Sequence, residues 1–363
     1  MSTGTSLKLS GLTTSRVGGP ARRWFEAETE EELIVAVRAA DEAGEPLLVI
    51  GGGSNLVISD EGFDGAVVHI ATRGRELREE RDGTAVLHAQ AGEPWDALVA
   101  STLSEGWAGL EALSGIPGLA GATPVQNVGA YGADVSQSIT EVRVWDRAER
   151  QVQVFSNADL EFGYRTSLLK RTTTDGIPRY VVLSVGFRLH RGPLGAAVRY
   201  AELARVLGVE PGQPAPAEDI RRAVLELRAG KGMVLDARDP DTWSTGSFFT
   251  NPIVDAAAAA ALPAEAPRWP AADGQVKLSA AWLIDRAGFG KGFGLPGTEG
   301  EQLAGGRASL STRHTLAVTN RGTATARDLL AVAGAVADGV EDAFGIRLHP
   351  EPLLIGCSLP ARS

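Results

Sequence analysis

Residues 113–132 read Leu-Ser-Gly-Ile-Pro-Gly-Leu-Ala-Gly-Ala-Thr-Pro-Val-Gln-Asn-Val-Gly-Ala-Tyr-Gly, and no other stretch restricts the fold of this chain as strongly. Glycine recurs at Gly115, Gly118 and Gly121, while Pro117 and Pro124 remove backbone donors. Neither a regular helix nor a central strand can run through such a pattern. A long loop without regular structure is usually functional. Its backbone, nearly free of side-chain bulk, can lie flat against a planar ligand and donate amides to it. The candidate contacts are Ser114, Gly115, Ile116, Pro117, Gly118, Gly121, Ala122, Gln126, Asn127, Gly129, Ala130 and Tyr131. The alternative is a collapsed structural loop.

A second segment, Gly51-Gly52-Gly53-Ser54-Asn55, directly follows the apolar run 46–50, which reads as a short buried strand. Its glycines let the backbone turn sharply and gather N–H groups around an anion such as a pyrophosphate. Ser54 and Asn55 add side-chain donors, and Leu56 completes the set. Alone, the pentapeptide also reads as a tight turn. No Walker A pattern occurs. The match to G-x-G-x-x-G at Gly292-Phe293-Gly294-Leu295-Pro296-Gly297 follows no predicted strand and carries a proline. A bound dinucleotide would therefore not sit on a Rossmann domain.

Around these segments the pattern is mixed α+β. Thr29-Glu30-Glu31-Glu32 is a capping box that opens a helix ending at Gly44. Residues 66–70, 85–91, 139–145, 151–155 and 180–189 read as strands, and 94–105 as a helix with proline in its first turn. Residues 192–216 read as a connection, and 217–229 as an amphipathic helix. Helices are expected at 277–287 and 324–344, with a strand at 315–319. The strand-like tail 352–356 is expected to return to an earlier sheet.

With 363 residues, 44% hydrophobic and 22% charged, the chain can form two or three domains with their own cores. A formal charge of −10 argues against a general nucleic-acid binder but leaves room for a local basic pocket. The lone Cys357 precludes an intramolecular disulfide, fits a reducing compartment and reads as structural. The N-terminus has no apolar signal core, and no apolar run is long enough to span a membrane, so the cytoplasm is expected. The five histidines show no metal-ligand spacing, so no catalytic metal is expected.

The two glycine-rich segments together resemble flavoproteins with a fold like that of vanillyl-alcohol oxidase. Further motifs narrow the likeness: Glu161-Phe162-Gly163-Tyr164-Arg165-Thr166-Ser167, Gly246-Ser247-Phe248-Phe249-Thr250-Asn251-Pro252, Lys277-Leu278-Ser279-Ala280-Ala281-Trp282-Leu283-Ile284-Asp285 and Pro350-Glu351-Pro352. In this order they resemble the UDP-N-acetylenolpyruvoylglucosamine reductases, over residues 13–356. Two regions depart from that pattern. Residues 288–300 are longer than usual, and Ser311-Thr312-Arg313-His314 varies where the family often lies near substrate.

The resemblance implies an FAD-binding module of two α+β subdomains and a C-terminal α+β substrate-binding domain. The expected boundaries are 1–72 joined by 352–363, then 73–229, then 230–351. It implies a monomer in which NADPH and UDP-N-acetylenolpyruvoylglucosamine use one site in turn. Arg165, Ser247 and Glu351 match the family's catalytic arginine, proton donor and glutamate. Tyr164, Tyr200, Lys231 and Asn251 match substrate-binding positions, Lys231 toward the diphosphate. For Tyr200 a packing role is an equal alternative. Out of context, Arg165 reads as a surface ion-pair partner, Ser247 as a cap and Glu351 as an exposed carboxylate.

Overall fold

The computed structural model describes residues 2–4 and 7–362. Its contacts divide the chain into two compact units. The first comprises Ala21–Gly53 and Phe63–Val234, with the described residues before Lys8; the second comprises Lys8–Pro20, Ser54–Gly62 and the chain from Leu235 onward. The division that the resemblance implies is a different one, with residues 8–20 and 54–62 in the N-terminal subdomain.

In the first unit, strands Ala21–Ala27 and Leu47–Ile50 flank Phe63–Ile70, both parallel to it. Parallel neighbours need a crossover, and the helix Glu30–Glu42 supplies one. The Thr29 hydroxyl accepts the Glu32 amide, as the capping box requires, while the Glu32 carboxylate takes the Glu28 amide. Leu33, Val37 and Ala40 turn inward to a core shared with Leu47 and Val68. A second sheet is antiparallel: Gln151–Ser156, Ile139–Asp146, Tyr180–Arg191, Thr84–Gln90 and Arg75–Glu79 lie side by side, and Trp107–Ala108 also pairs with Tyr180–Arg191. The Pro-, Gly- and Ala-rich connection contains one unexpected element, the short helix Ala201–Leu207. It packs on Ala217–Gly230 through Leu203, Ala204, Ile220 and Val224.

In the second unit the helix Ala326–Phe344 buries Leu329, Val332, Ala333, Val336 and Val340 in one core. Thr325 and Asp328 form its capping box, a feature that contributes about 1 kcal/mol. Asp60 also accepts the Ala326 and Arg327 amides from 266 and 267 positions away. The strand Leu353–Ile355 runs parallel to Leu56–Ile58. Two expectations shift. Residues 276–278 form the strand Val276–Leu278, and the helix begins only at Ala280 because the Ser279 hydroxyl accepts the Trp282 amide. The expected strand at 315–319 is Val318–Asn320, paired with Ala308–Leu310. Cys357 donates to Val57 O at 3.5 Å, and burial, with Asp60 nearby, pushes its thiol pKa up to about 11.

Asp146, Asp241 and Asp328 are buried carboxylates whose pKa values lie below the usual range. Burial alone would raise them; hydrogen bonds outweigh it, from Arg179 to Asp146, Thr312 to Asp241 and Arg307 to Asp328. A depressed carboxylate pKa contributes stability above the unfolded value of about 3.9, and that stability is lost as pH falls through the folded value. The thermal midpoint should therefore hold level down to about pH 5 and fall steeply below about pH 4. Calorimetry across that range checks this; a level midpoint to about pH 3 would contradict it.

Candidate functional site

In the first unit the two glycine-rich segments meet backbone to backbone. A Cβ added to Gly52 would lie 2.7 Å from Gly118 Cα, and one added to Gly121 would lie 2.4 Å from Ala91 Cβ. Only glycine permits either approach. The long segment is tied down: the Trp95 indole donates to Leu113 O at 2.9 Å, its amide to Gly118 O, and the Asp96 carboxylate accepts the Gly115 amide at 2.6 Å. The amides of Gly121 and Ala122 and the hydroxyl of Ser114 also bond within the protein. Among the described residues, the amides of Gly52, Gly53, Ile116 and Gly118 meet no protein acceptor. Bare backbone with unspent donors suits a flat, anionic group.

Gly129–Ala130 and Ala133–Asp134 form a tight hairpin whose turn residues, Tyr131 and Gly132, have φ of +52° and +81°. Asn127, at φ +49°, donates from its side chain to Gly163 O at 3.1 Å. Gly163 and Thr166 bridge the turn that carries Tyr164 and Arg165. Arg165 has φ +53°, and its guanidinium donates to Gly129 O at 3.0 Å. Lys170 donates to Arg165 O and to Gln126 Oε1. Side chains other than glycine rarely adopt this conformation, and such strain collects at functional positions. Here Asn127, Tyr131 and Arg165 all show it.

Lys231 and its neighbours supply charge. Its ammonium pairs with Glu202 at 2.7 Å and lies 5.6 Å from the Tyr131 ring, which meets Tyr200 edge-on at 5.5 Å. Burial disfavours the Lys231 charge, but Glu202 outweighs it and the pKa rises. Tyr164 and Tyr200 are each 43% exposed. One residue escapes a reading of the sequence. Arg228, three positions before Lys231, donates to Met233 O while its buried Nε has no partner among the described residues. Burial and the charge of Arg165 lower its pKa against Tyr131 and Asp96. A single arginine on an amphipathic helix reads as solvated face; its spacing from Lys231 is the available signal.

In the second unit the residues that follow Ser247 pair through their backbone with the segment of Glu351. Phe249 bridges Pro350, and the Glu351 amide donates to Phe248 O at 2.8 Å. Gly246 precedes Ser247 at φ +76°, with its amide on the Ser244 hydroxyl. Phe248 and Phe249, both buried, anchor the chain immediately beyond Ser247. Among the described residues no protein group bonds the Ser247 hydroxyl. The Asn55 side chain donates to Glu351 O at 3.3 Å, so the end of the first glycine-rich motif positions this carboxylate's segment. Asn251 Oδ1 accepts the Ala280 amide at 2.9 Å and so caps that helix. Ser54 and Leu56 fall in this unit; Arg165 falls in the other.

The sequence model of the FAD binding domain matches residues 21–154, and that of the C-terminal domain of UDP-N-acetylenolpyruvoylglucosamine reductase matches 239–355. The fold and the glycine-lined site thus define a flavin-dependent oxidoreductase with an α+β FAD-binding module and a separate α+β C-terminal domain. Reductases of that name from Saccharopolyspora erythraea and Streptomyces coelicolor are 54% and 53% identical to this chain. Each alignment covers 97% of this chain, and 95% and 90% of the relative. The crystal structure of the enzyme from Thermus caldophilus is similar with a TM-score of 0.64 and 26% identity, over 98% of this chain and 100% of that one. The chain belongs to the UDP-N-acetylenolpyruvoylglucosamine reductase family. Among the described residues no helix is long and apolar enough to cross a membrane.

Proposed function

We propose that this enzyme reduces UDP-N-acetylenolpyruvoylglucosamine to UDP-N-acetylmuramate with NADPH, as a cytoplasmic monomer in which both ligands use one site in turn. The observation that carries the reading is the backbone pairing that couples the Ser247 segment to Glu351, in a chain related over nearly its full length to reductases of that name. Gly51, Gly52 and Gly53, with the segment 114–131, would hold FAD. When bound, it supplies the redox chemistry by which hydride from NADPH reaches substrate.

The chain's own residues handle the charge and the proton. Hydride addition to the terminal carbon of the enol ether leaves an enolate-like dianion on the neighbouring carbon and its carboxylate. The Arg165 guanidinium meets that charge with two parallel donors. The Ser247 hydroxyl delivers the proton to the carbon, a transfer that is feasible because an enolate carbon is a strong base and the geometry is fixed. An ionised carboxylate would repel the dianion, so Glu351 acts as a hydrogen-bond donor, carrying a proton when the intermediate forms. Lys231 and Arg228 offer positive charge to phosphates, with Tyr164, Tyr200 and Asn251 at the substrate.

NADPH oxidation with and without the enolpyruvyl substrate tests the reading. Strict dependence on substrate is expected; comparable consumption by oxygen alone would mark a flavin oxidase instead. Glu351→Gln keeps a donor while removing the acid, so substrate-driven flavin reoxidation should stay within about tenfold of the parent. A loss above about a thousandfold would mean that Glu351 transfers a proton.

A further inference from the structure

We infer that Asp241 is a positioning residue for Ser247, an inference that rests on Ser247 as the proton donor. Asp241 lies six positions before Ser247 and is 3% exposed. Its carboxylate is fully engaged by one segment. Oδ1 accepts the Thr312 amide at 3.0 Å and the Arg321 guanidinium; Oδ2 accepts the Ser311 hydroxyl at 3.0 Å and the Thr312 hydroxyl at 2.9 Å. Arg313 stands 3.7 Å away and pairs more closely with Asp239.

These bonds fix a turn, and the turn holds the serine. The Ser311 hydroxyl takes the amides of Arg313 and His314, the Ser311 amide donates to Ala317 O, and the Ala317 amide to His314 O. Leu316 O then accepts the amide of Phe248, next to Ser247, at 2.7 Å. On the other flank, the Asn320 amide donates to Trp243 O, Thr14 donates to Ser244 O, and the Ser244 hydroxyl takes the Gly246 amide. Asp241 therefore ties the covalent approach to Ser247 to the turn that seats the residue after it. An unbonded hydroxyl aims only as well as its peptide is held, and misplacement by about 1 Å can slow a reaction about a hundredfold.

Anaerobic stopped-flow absorbance on the FAD-loaded enzyme tests this with Asp241→Asn, Thr312→Val and Ser247→Ala. Asp241→Asn should slow flavin reoxidation by substrate about 10- to 100-fold, lower kcat rather than raise KM, and leave flavin reduction by NADPH within about twofold. Thr312→Val, which keeps the shape and removes one donor, should show the same split at about 3- to 10-fold, and decides the matter if Asp241→Asn does not fold. If Ser247→Ala separates the half-reactions and neither other variant does, Asp241 is only structural and the inference is overturned. If Ser247→Ala fails to separate them, the proton-donor reading itself fails.

Discussion

Ser247→Ala should leave flavin reduction by NADPH within about twofold of the parent and slow flavin reoxidation by substrate by about 10²- to 10⁴-fold, the range of a lost general acid. The asymmetry follows from chemistry. Only the second half-reaction places a carbanion that needs a proton. It also follows from the site. The hydroxyl has no protein partner among the described residues, while the amides of its two neighbours are held, Phe248 by Leu316 O and Gly246 by the Ser244 hydroxyl. Alanine keeps that backbone, including Gly246 at φ +76°, so folding and flavin uptake should be unchanged. Equal slowing of both half-reactions would remove Ser247 from the proton-transfer step.

Arg165→Met should lower kcat/KM by about 10²- to 10³-fold, the loss typical of one preorganised donor on a developing oxyanion. Arg165→Lys should recover only part of it, because an ammonium replaces the charge without the planar fork. Both substitutes are unbranched at Cβ and face the same left-handed backbone as arginine, at φ +53°. The change therefore reports mainly on the guanidinium. Flavin content should match the parent in both variants, and the thermal midpoint of Arg165→Met should fall by no more than the loss of one hydrogen bond, that to Gly129 O, about 1 kcal/mol. A loss below about fivefold in Arg165→Met would return Arg165 to a structural role, holding Gly129 O.

Elements with local signatures are legible in the sequence. The Thr29 box, the proline before Trp95 and the β-branched and apolar residues through 139–145 and 180–189 each describe a physical preference, and the helices and strands form there. Elements defined by distant partners are not. Leu56–Ile58 is too short to show a period and exists because Leu353–Ile355 pairs with it. The strand expected at 315–319 begins later because its first residues belong to the turn that Asp241 holds. Ser279 shows a subtler failure: a strand runs straight into a helix, and only the cap marks the change.

The candidate site divides the same way. Glycines that must approach other backbone, such as Gly52 against Gly118, announce themselves by composition. The strained conformations of Asn127, Tyr131 and Arg165 do not, since nothing in a side-chain pattern specifies φ. Nor does burial of the Arg228 guanidinium, which depends on the helix lying against the loop at Gly115.

A single anaerobic titration of the FAD-loaded protein tests the proposed reaction as a whole. One equivalent of NADPH should bleach the flavin, and one equivalent of UDP-N-acetylenolpyruvoylglucosamine should restore its colour as UDP-N-acetylmuramate forms. A protein that takes up no FAD, or a bleached flavin that only oxygen can recolour, would contradict it.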